Sequence, residues 1–239
     1  IKKILCGLFT LTTLMFVNLG TAAPPLPYTA YYDAYYQGLK AQAEISLTQL
    51  GDTDFVANSS IILRLFGTTF STIKEISQFD WHNDAPRSHH YEYKQSGIGG
   101  RSHSIDFDWQ NNLALASLKD KNVEILLESN ALDELSMYSL IRAELQKGNN
   151  DITFTVLDRD MLEEYHYHAI GEEEVQTKSG IFTAIKVERL RKNSNRLTHL
   201  WFAKNNDMLL IKLYQLDPDG DEFEITLNEA QINGETVRP

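Results

Sequence analysis

Cysteine and basic residues are both scarce in this chain of 239 residues. Its single cysteine is Cys6, close to the beginning. If that segment is removed, no disulfide and no thiol chemistry remain. Lys and Arg number 22 against 33 Asp and Glu, a formal net charge of -11. Removal of Lys2 and Lys3 would make it -13. This balance argues against nucleic acid or an anionic membrane surface as a partner.

Long hydrophobic runs are also lacking, and the one apolar run lies at the beginning. Ile4 to Leu19 carries no charge, follows Lys2-Lys3 and precedes the small residues Gly20 to Ala23. The run is shorter than the roughly 20 residues that a membrane span needs. This pattern predicts a secretory signal peptide over residues 1–23 and no transmembrane anchor after cleavage. Export without disulfides suits the periplasm of a Gram-negative bacterium.

Motifs of nucleophilic catalysis and of phosphate binding are missing as well. There is no Gly-x-Ser-x-Gly segment, and the glycines of Gly97 to Gly100 are not followed by a helical pattern. We therefore predict no catalytic residue and no cofactor, so enzyme activity is not indicated. Paired carboxylates that only folding would bring together stay open, and with them a polysaccharide-acting hydrolase.

One amphipathic helix is predicted over Ser129–Gly148. Its apolar residues recur at steps of three and four: Leu132, Leu135, Tyr138, Ile141 and Leu145. Ser129 or Asn130 suits the amino-terminal cap, and Gly148 suits the stop. An isolated helix with one apolar face must bury it, and the sequence offers only strands as a partner.

The rest of the chain from Tyr28 alternates with the period of strands. Ala41 to Thr48 and Glu222 to Asn228 are clear examples, and Asn111-Asn112 and Asp217 to Gly220 mark turns. Glu172 to Glu174 reads as an exposed loop. The fold class is therefore mainly β: an antiparallel, strongly curled sheet or open barrel, lipocalin-like or lipoprotein-carrier-like, with one main helix packed on it. The domains are a linker at 24–27, one β-rich domain at 28–232 and a C-terminal tail at 233–239.

Four stretches together resemble an uncharacterised bacterial exported family, the domain of unknown function 3108. They are Tyr32 to Ala43, Leu132-Asp-Glu-Leu-Ser136, Gly171 to Arg189 and Trp201-Phe-Ala203. Ala41 stands where the family pattern has a second glycine, and the strand at 208–213 lacks a proline. The resemblance implies export and a β-rich fold, and it supplies no catalytic residues.

Two polar groups are further site candidates. His166 and His168, two apart on a predicted strand, share a face and could hold a metal, or could simply face solvent. Arg189, Arg191 and Arg196 could bind an anionic group across a hairpin, or pair with surface acids.

The function predicted from these features is non-enzymatic binding of a lipid-like or other apolar or amphipathic molecule, or of an envelope protein. A scaffold with a filled interior is the alternative. The predicted ligand-binding residues are Ile105, Phe107, Leu135, Tyr138, Ile185 and Trp201 as walls, with Arg189 and Arg196 at the rim.

Overall fold

The computed structural model of the chain describes residues 23–97, 99–128 and 130–239, which form sixteen strands and one α-helix. The first half contains β1 (Tyr28–Tyr36), β2 (Leu39–Gln49), β3 (Asp54–Leu65), β4 (Thr68–His82), β5 (Ala85–Gly97), β6 (Arg101–Asp108), β7 (Leu113–Leu118) and β8 (Lys121–Leu126). The second half contains β9 (Ala131–Leu132), helix α1 (Met137–Gln146), β10 (Asp151–Asp158), β11 (Met161–Thr177), β12 (Gly180–Leu190), β13 (Leu197–Ala203), β14 (Leu209–Leu216), β15 (Glu222–Ile232) and β16 (Glu235–Thr236).

The strands form because small and apolar side chains alternate with polar ones. In β2, Ala41 and Ala43 are buried, whereas Lys40, Gln42 and Glu44 are exposed. Successive side chains of a strand leave opposite faces of the sheet, so this pattern gives one face to the core and the other to water. The β-rich fold predicted from the alternation is confirmed.

All of these strands belong to one sheet, in which β1 pairs with β15 and every other neighbour along the main path is consecutive in sequence. The path runs from β8 back to β1, crosses to β15 and returns to β9, and β16 pairs with β15 beside it. The pairings are antiparallel except for β9 with β10. The two ends of the path, β8 and β9, do not pair with each other, so the sheet is not closed.

The sheet curls so strongly that elements from the second half of the chain contact strands from the first half. Both β9 and α1 lie against β5, and α1 also contacts β10. Ile141 of the helix is fully buried in the main core cluster, and Leu135 before the helix is buried in a second cluster with Phe55 and Phe79. The helix therefore belongs to the core, as its apolar face predicts.

The helix is shorter than its sequence pattern predicts, ten residues rather than Ser129–Gly148. Ala131 and Leu132 instead form β9, which pairs in parallel with Thr155 and Val156 of β10. Asp133 then holds a turn, because its Oδ1 accepts hydrogen bonds from the backbone N–H groups of Leu135 (2.9 Å) and Ser136 (2.7 Å). Such carboxylate-to-backbone bonds favour a turn or cap over a helix interior.

Strand β11 corrects a second expectation. The acidic run Glu172 to Glu174 is exposed, but it lies within a strand of seventeen residues rather than in a loop. The register with β12 shifts between Ala169 and Gly171, which marks a β-bulge. Five consecutive exposed residues, Ile170 to Glu174, interrupt the alternation of buried and exposed positions there, so the sequence pattern does not show that the strand continues.

The segments at both ends of the domain have defined contacts. In the predicted linker 24–27, the N–H of Leu26 donates to Asp207 Oδ2 at 2.9 Å. Within the predicted tail 233–239, β16 pairs with β15 and Val237 is buried. The signal peptide predicted for residues 1–23 lies, apart from Ala23, outside the described residues. In the described part of the chain, no helix has the length and apolar character needed to cross a membrane.

Candidate functional site

A cavity of about 1100 Å³ lies inside the curl of the sheet, beside the turn that precedes α1. Its walls come from β2–β4, from the start of α1 and from the strands β10–β15. The apolar side chains of the lining are Ala43, Ile45, Ile61, Leu135, Met137, Leu190, Leu210, Leu213, Pro218, Phe223 and Ile225. Polar and charged side chains line the rest, so the cavity is amphipathic.

A carboxyl pair lies at one side of this cavity. The hydroxyl of Tyr91 donates to Glu75 Oε1 at 2.8 Å and lies 3.4 Å from Glu134 Oε2. Burial raises the pKa of Glu75, and burial with the nearby Asp158 and Glu75 raises the pKa of Glu134 to about 8. At neutral pH Glu134 is therefore mostly protonated and presents a neutral hydrogen-bond donor to the cavity.

Glu134 should make the stability of the protein fall as pH rises from 6.5 to 8. Its pKa is about 8 in the folded state against an ordinary 4.5, so in this window the folded state holds a proton that the unfolded chain has released. The pKa of His103, lowered to about 4, acts in the opposite direction, but only below its ordinary value of 6.5. Urea unfolding at several pH values measures the slope.

The matched variants for this test are Glu134→Gln and Glu124→Gln, since Glu124 is exposed on β8. Glu134→Gln should flatten the decline between pH 6.5 and 8, and Glu124→Gln should retain it. An equal slope in both variants and in the parent protein would contradict the burial of a protonated Glu134.

A basic group faces the cavity from the end of β12 and the loop after it. Arg189 stacks on Tyr165, with its guanidinium carbon 3.2 Å from the ring centroid, and lies 3.6 Å from Glu163. Arg196 forms an ion pair with Asp217 at 2.5 Å. Arg191 completes the group. The hairpin predicted to bring the arginines together is thus present.

Four of the eight residues predicted to bind a ligand line this cavity. They are Leu135, Tyr138, Arg189 and Arg196. Ile105 and Phe107 are instead buried in the second core cluster, where they fill space between β6 and its neighbours. Ile185 shares a strand face with Arg189 but lies four residues away, packed against the main core cluster.

Trp201 lies outside the cavity because it leaves the wrong face of β13. Thr198, three positions earlier, lines the cavity, and an odd separation along a strand reverses the face. The Trp201 ring lies 5.1 Å from the Lys186 amine and 5.3 Å from that of Lys212, and its Nε1 donates to Glu173. The expectation that Trp201 forms the mouth of a pocket is corrected by these contacts.

His166 and His168 do share a face, as the spacing predicts. His168 Nδ1 lies 2.7 Å from Asp151 Oδ1, and His166 Nε2 lies 3.4 Å from the same oxygen. In the described part of the chain, no three His, Cys, Asp or Glu side chains are grouped to hold a metal ion. Both imidazoles therefore share one partner, the carboxylate of Asp151 on the neighbouring strand β10.

Sequence patterns did not reveal Glu75, Glu134 or Thr198 as cavity residues, or Tyr91 as the residue between the two carboxyl groups. Glu75 and Tyr91 are polar members of ordinary strand alternations, and Glu134 lies in a stretch that reads as the first turn of a helix. The available signal for Glu134 was its place in the Leu132–Ser136 motif. No residue near Glu134 in the sequence indicated that strand β4, which carries Glu75, would lie close to it.

A mostly antiparallel, curled and unclosed sheet with a helix against it defines a β-barrel-like protein. The crystal structure of a "Beta-barrel-like Protein of Domain of Unknown Function DUF1849" from Brucella abortus is similar, with a TM-score of 0.60 over 88% of this chain and 99% of that one, at 8% sequence identity. This likeness concerns the fold alone.

The chain belongs to the family described as "Protein of unknown function (DUF3108)", whose model matches residues 31–228. The family resemblance carried by the four sequence stretches is thereby confirmed. No curated protein matches the sequence.

Proposed function

We propose that the protein is exported to the periplasm and binds an amphipathic molecule in its central cavity. The observation that carries this proposal is the cavity itself, about 1100 Å³ in volume, with an apolar wall from both halves of the sheet and basic residues along one side. Pockets for small molecules are typically about 300–1,000 Å³, so the space suits a ligand with a long chain. An open cavity also favours binding over a scaffold with a filled interior.

The energetics of an acyl chain in this cavity are reasonable. Burial of a methylene group contributes about 0.8 kcal/mol, so a chain of about twelve contributes roughly 10 kcal/mol before ordering costs. Part of that gain offsets the lost freedom of the chain. Dissociation constants in the micromolar range follow for a ligand of this length.

Partly filling the cavity should weaken the binding of a fluorescent fatty acid. Ile61 lines the cavity from β3, and Ile62, the next residue, leaves the opposite face of the strand. Ile61→Trp would fill part of the space and should weaken binding at least about tenfold, since displaced chain atoms lose their burial. Ile62→Trp should bind as the parent protein does. Fluorescence titration measures both, with circular dichroism to confirm folding.

The absence of binding by the folded parent protein, up to the solubility limit of the fatty acid, would overturn the proposal. So would equal binding by the two tryptophan variants. Export is tested separately: protein recovered from a periplasmic fraction should begin near Pro24, and recovery with the apolar run 4–19 intact in a membrane fraction would refute it.

A hydrolase acting on envelope polysaccharide is the second candidate, favoured by the approach of Glu75 and Glu134 to one hydroxyl. Retaining glycosidases place two carboxyl groups about 5–5.5 Å apart, one of them ionised as the nucleophile. Here burial raises the pKa of both groups, which favours two neutral acids. Release of reducing sugar from envelope polysaccharide, lost in Glu75→Gln and in Glu134→Gln, would replace the binding assignment.

A further inference from the structure

Two residues that line the cavity each contain a buried polar atom without a hydrogen-bond partner. These atoms are Nε of Arg189 and Oγ1 of Thr198, and the Thr198 residue is only 5% exposed. The other two such atoms among the described residues, on His103 and Arg142, belong to residues that do not line this cavity. An unpaired buried polar group is costly, and most find a partner. Two such atoms on residues of one cavity wall indicate that this part of the wall suits a polar group of a ligand.

The sheet register places these two atoms on neighbouring strands. The pairing of β12 with β13 ends at Glu188 and His199, so Arg189 and Thr198 are the next positions on the two strands. Val187 and Leu200, two positions further in on each strand, are fully buried on the same face as Arg189 and Thr198. Arg189 and Thr198 therefore follow directly on the last paired positions of β12 and β13, where the two strands reach the cavity.

Arg191 adds a positive charge that no carboxylate neutralises. Its Nη1 donates to the backbone carbonyl of Arg196 at 3.0 Å, which fixes the side chain across its own loop. Between residues 23 and 239, leaving aside the two positions not described, no Asp or Glu oxygen lies within ion-pair distance of it. Burial and the neighbouring Arg189 lower the pKa of Arg191 to about 10, so it stays charged at neutral pH.

Three carboxyl groups of β10 and β11 line the same cavity, those of Asp158, Glu163 and Glu164, and Glu164 lies 3.4 Å from the Lys192 amine. Glu163 lies 3.6 Å from Arg189, at the edge of ion-pair distance. Arg196, by contrast, makes two contacts with Asp217, at 2.5 and 3.1 Å, and its charge is satisfied. Arg189 thus has one carboxylate at the edge of ion-pair distance, Arg191 has none among the described residues, and the Thr198 hydroxyl lies on the next strand.

We propose that Arg189, Arg191 and Thr198 form an oxyanion subsite, which takes the carboxylate or phosphate head group of the amphipathic ligand. Guanidinium groups bind such oxygens through charge-assisted hydrogen bonds, and the Thr198 hydroxyl supplies a third donor. This inference rests on the proposed function for the chain of the ligand. Arg196 has no role in this subsite, because its side chain already forms an ion pair with Asp217.

The test compares ligands with one chain and different head groups. Calorimetric titration with dodecanoate, dodecyl phosphate and dodecanol separates the contribution of the head group from that of the chain, and inorganic phosphate alone tests a free anion. The two charged amphiphiles should bind about 10–100-fold more tightly than dodecanol, the range expected for hydrogen bonds to a charged group. Whichever of the two binds more tightly identifies the head group as carboxylate or phosphate.

Three variants locate the effect. Arg191→Gln should remove most of the preference for the charged amphiphiles and leave the affinity for dodecanol unchanged. Thr198→Val, which replaces the hydroxyl with a methyl group of similar size, should lower the affinity for the charged amphiphiles by about threefold to tenfold, as for a single hydrogen bond. Arg196→Gln is the matched control and should keep the preference.

The outcomes distinguish this subsite from the cavity proposal. Equal affinity for dodecanol and dodecanoate, unaffected by Arg191→Gln, would overturn the subsite and leave the binding of a chain intact. Binding of inorganic phosphate that Arg191→Gln abolishes, without binding of any amphiphile, would support the subsite and overturn the proposed function. No binding of any of the four compounds would overturn both.

Discussion

Replacing Asp133 with alanine should lower the free energy of unfolding by about 3–5 kcal/mol, since each buried donor left unsatisfied costs about 1–3 kcal/mol. Asp133 is fully buried, and its carboxylate accepts hydrogen bonds from Ser77 Oγ (2.7 Å) and from the N–H groups of Leu135 and Ser136. All three donors lose their partner in the variant. The turn that leads into α1 also loses its tie to strand β4.

The chain contains a matched control for this change. Asp108 accepts the N–H groups of Gln110 and Asn111 in the same local pattern, but on the surface of the β6–β7 turn. Asp108→Ala exposes its donors to water and should lower the free energy of unfolding far less. Urea denaturation of the two variants gives the comparison. Similar losses in both would mean that burial of the Asp133 network is not the source of its effect.

Asp207→Ala should cost a comparable amount, about 3–5 kcal/mol, because it leaves a buried cation without its partner. Arg142 of α1 has a side chain only 2% exposed, and its Nη2 donates to Asp207 Oδ2 at 2.6 Å. The same carboxylate accepts from Leu26 and Gln146. One residue thus ties the helix, the β13–β14 turn and the segment before β1 together.

A second substitution in the Asp207→Ala background shows where the loss comes from. Arg142→Met removes the stranded charge and keeps much of the apolar stem over Tyr28, so the double variant should recover part of the stability. Asp160→Ala, which breaks the exposed ion pair with Lys121, should leave the unfolding midpoint nearly unchanged. No recovery in the double variant would argue that packing of the arginine stem, and not its charge, is decisive.

The fold could be predicted from the sequence where a residue's environment depends on its immediate neighbours. Alternation in β2 and the stripe containing Ile141 identified a curled sheet and a core helix. The start of the helix was predicted too early, because Leu132 and Leu135 fit a helical stripe. Asp133, which lies between them, accepts hydrogen bonds from backbone N–H groups in a turn, and the helix begins only after that turn. The spacing of apolar residues shows which face of an element is buried, but it does not show which backbone N–H groups donate to a carboxylate.

The cavity was predicted less well, because its lining depends on contacts between distant segments. Glu75 and Glu134 are 59 positions apart and meet at Tyr91 only through the curl of the sheet. Trp201 was assigned to the wrong face, since a single step along a strand reverses the direction of a side chain. Arg189 was found because a short hairpin holds it near Arg196, and that arrangement is local.

The pairing of β1 with β15 has a kinetic consequence. Each half of the sheet, β1–β8 and β9–β15, consists of strands that pair with their neighbours in sequence, so its contacts have low contact order. The contact between the halves joins Tyr28 to Ile232, at almost the greatest separation within the sheet. Closing a loop of that length carries a large entropic cost, and folding rates fall as such contacts dominate. The backbone bond from Asn233 N–H to the Pro27 carbonyl, 2.8 Å long, holds the two sides of this junction together. Covalently joining them there would turn the most distant contact in the sheet into a local one and should speed folding.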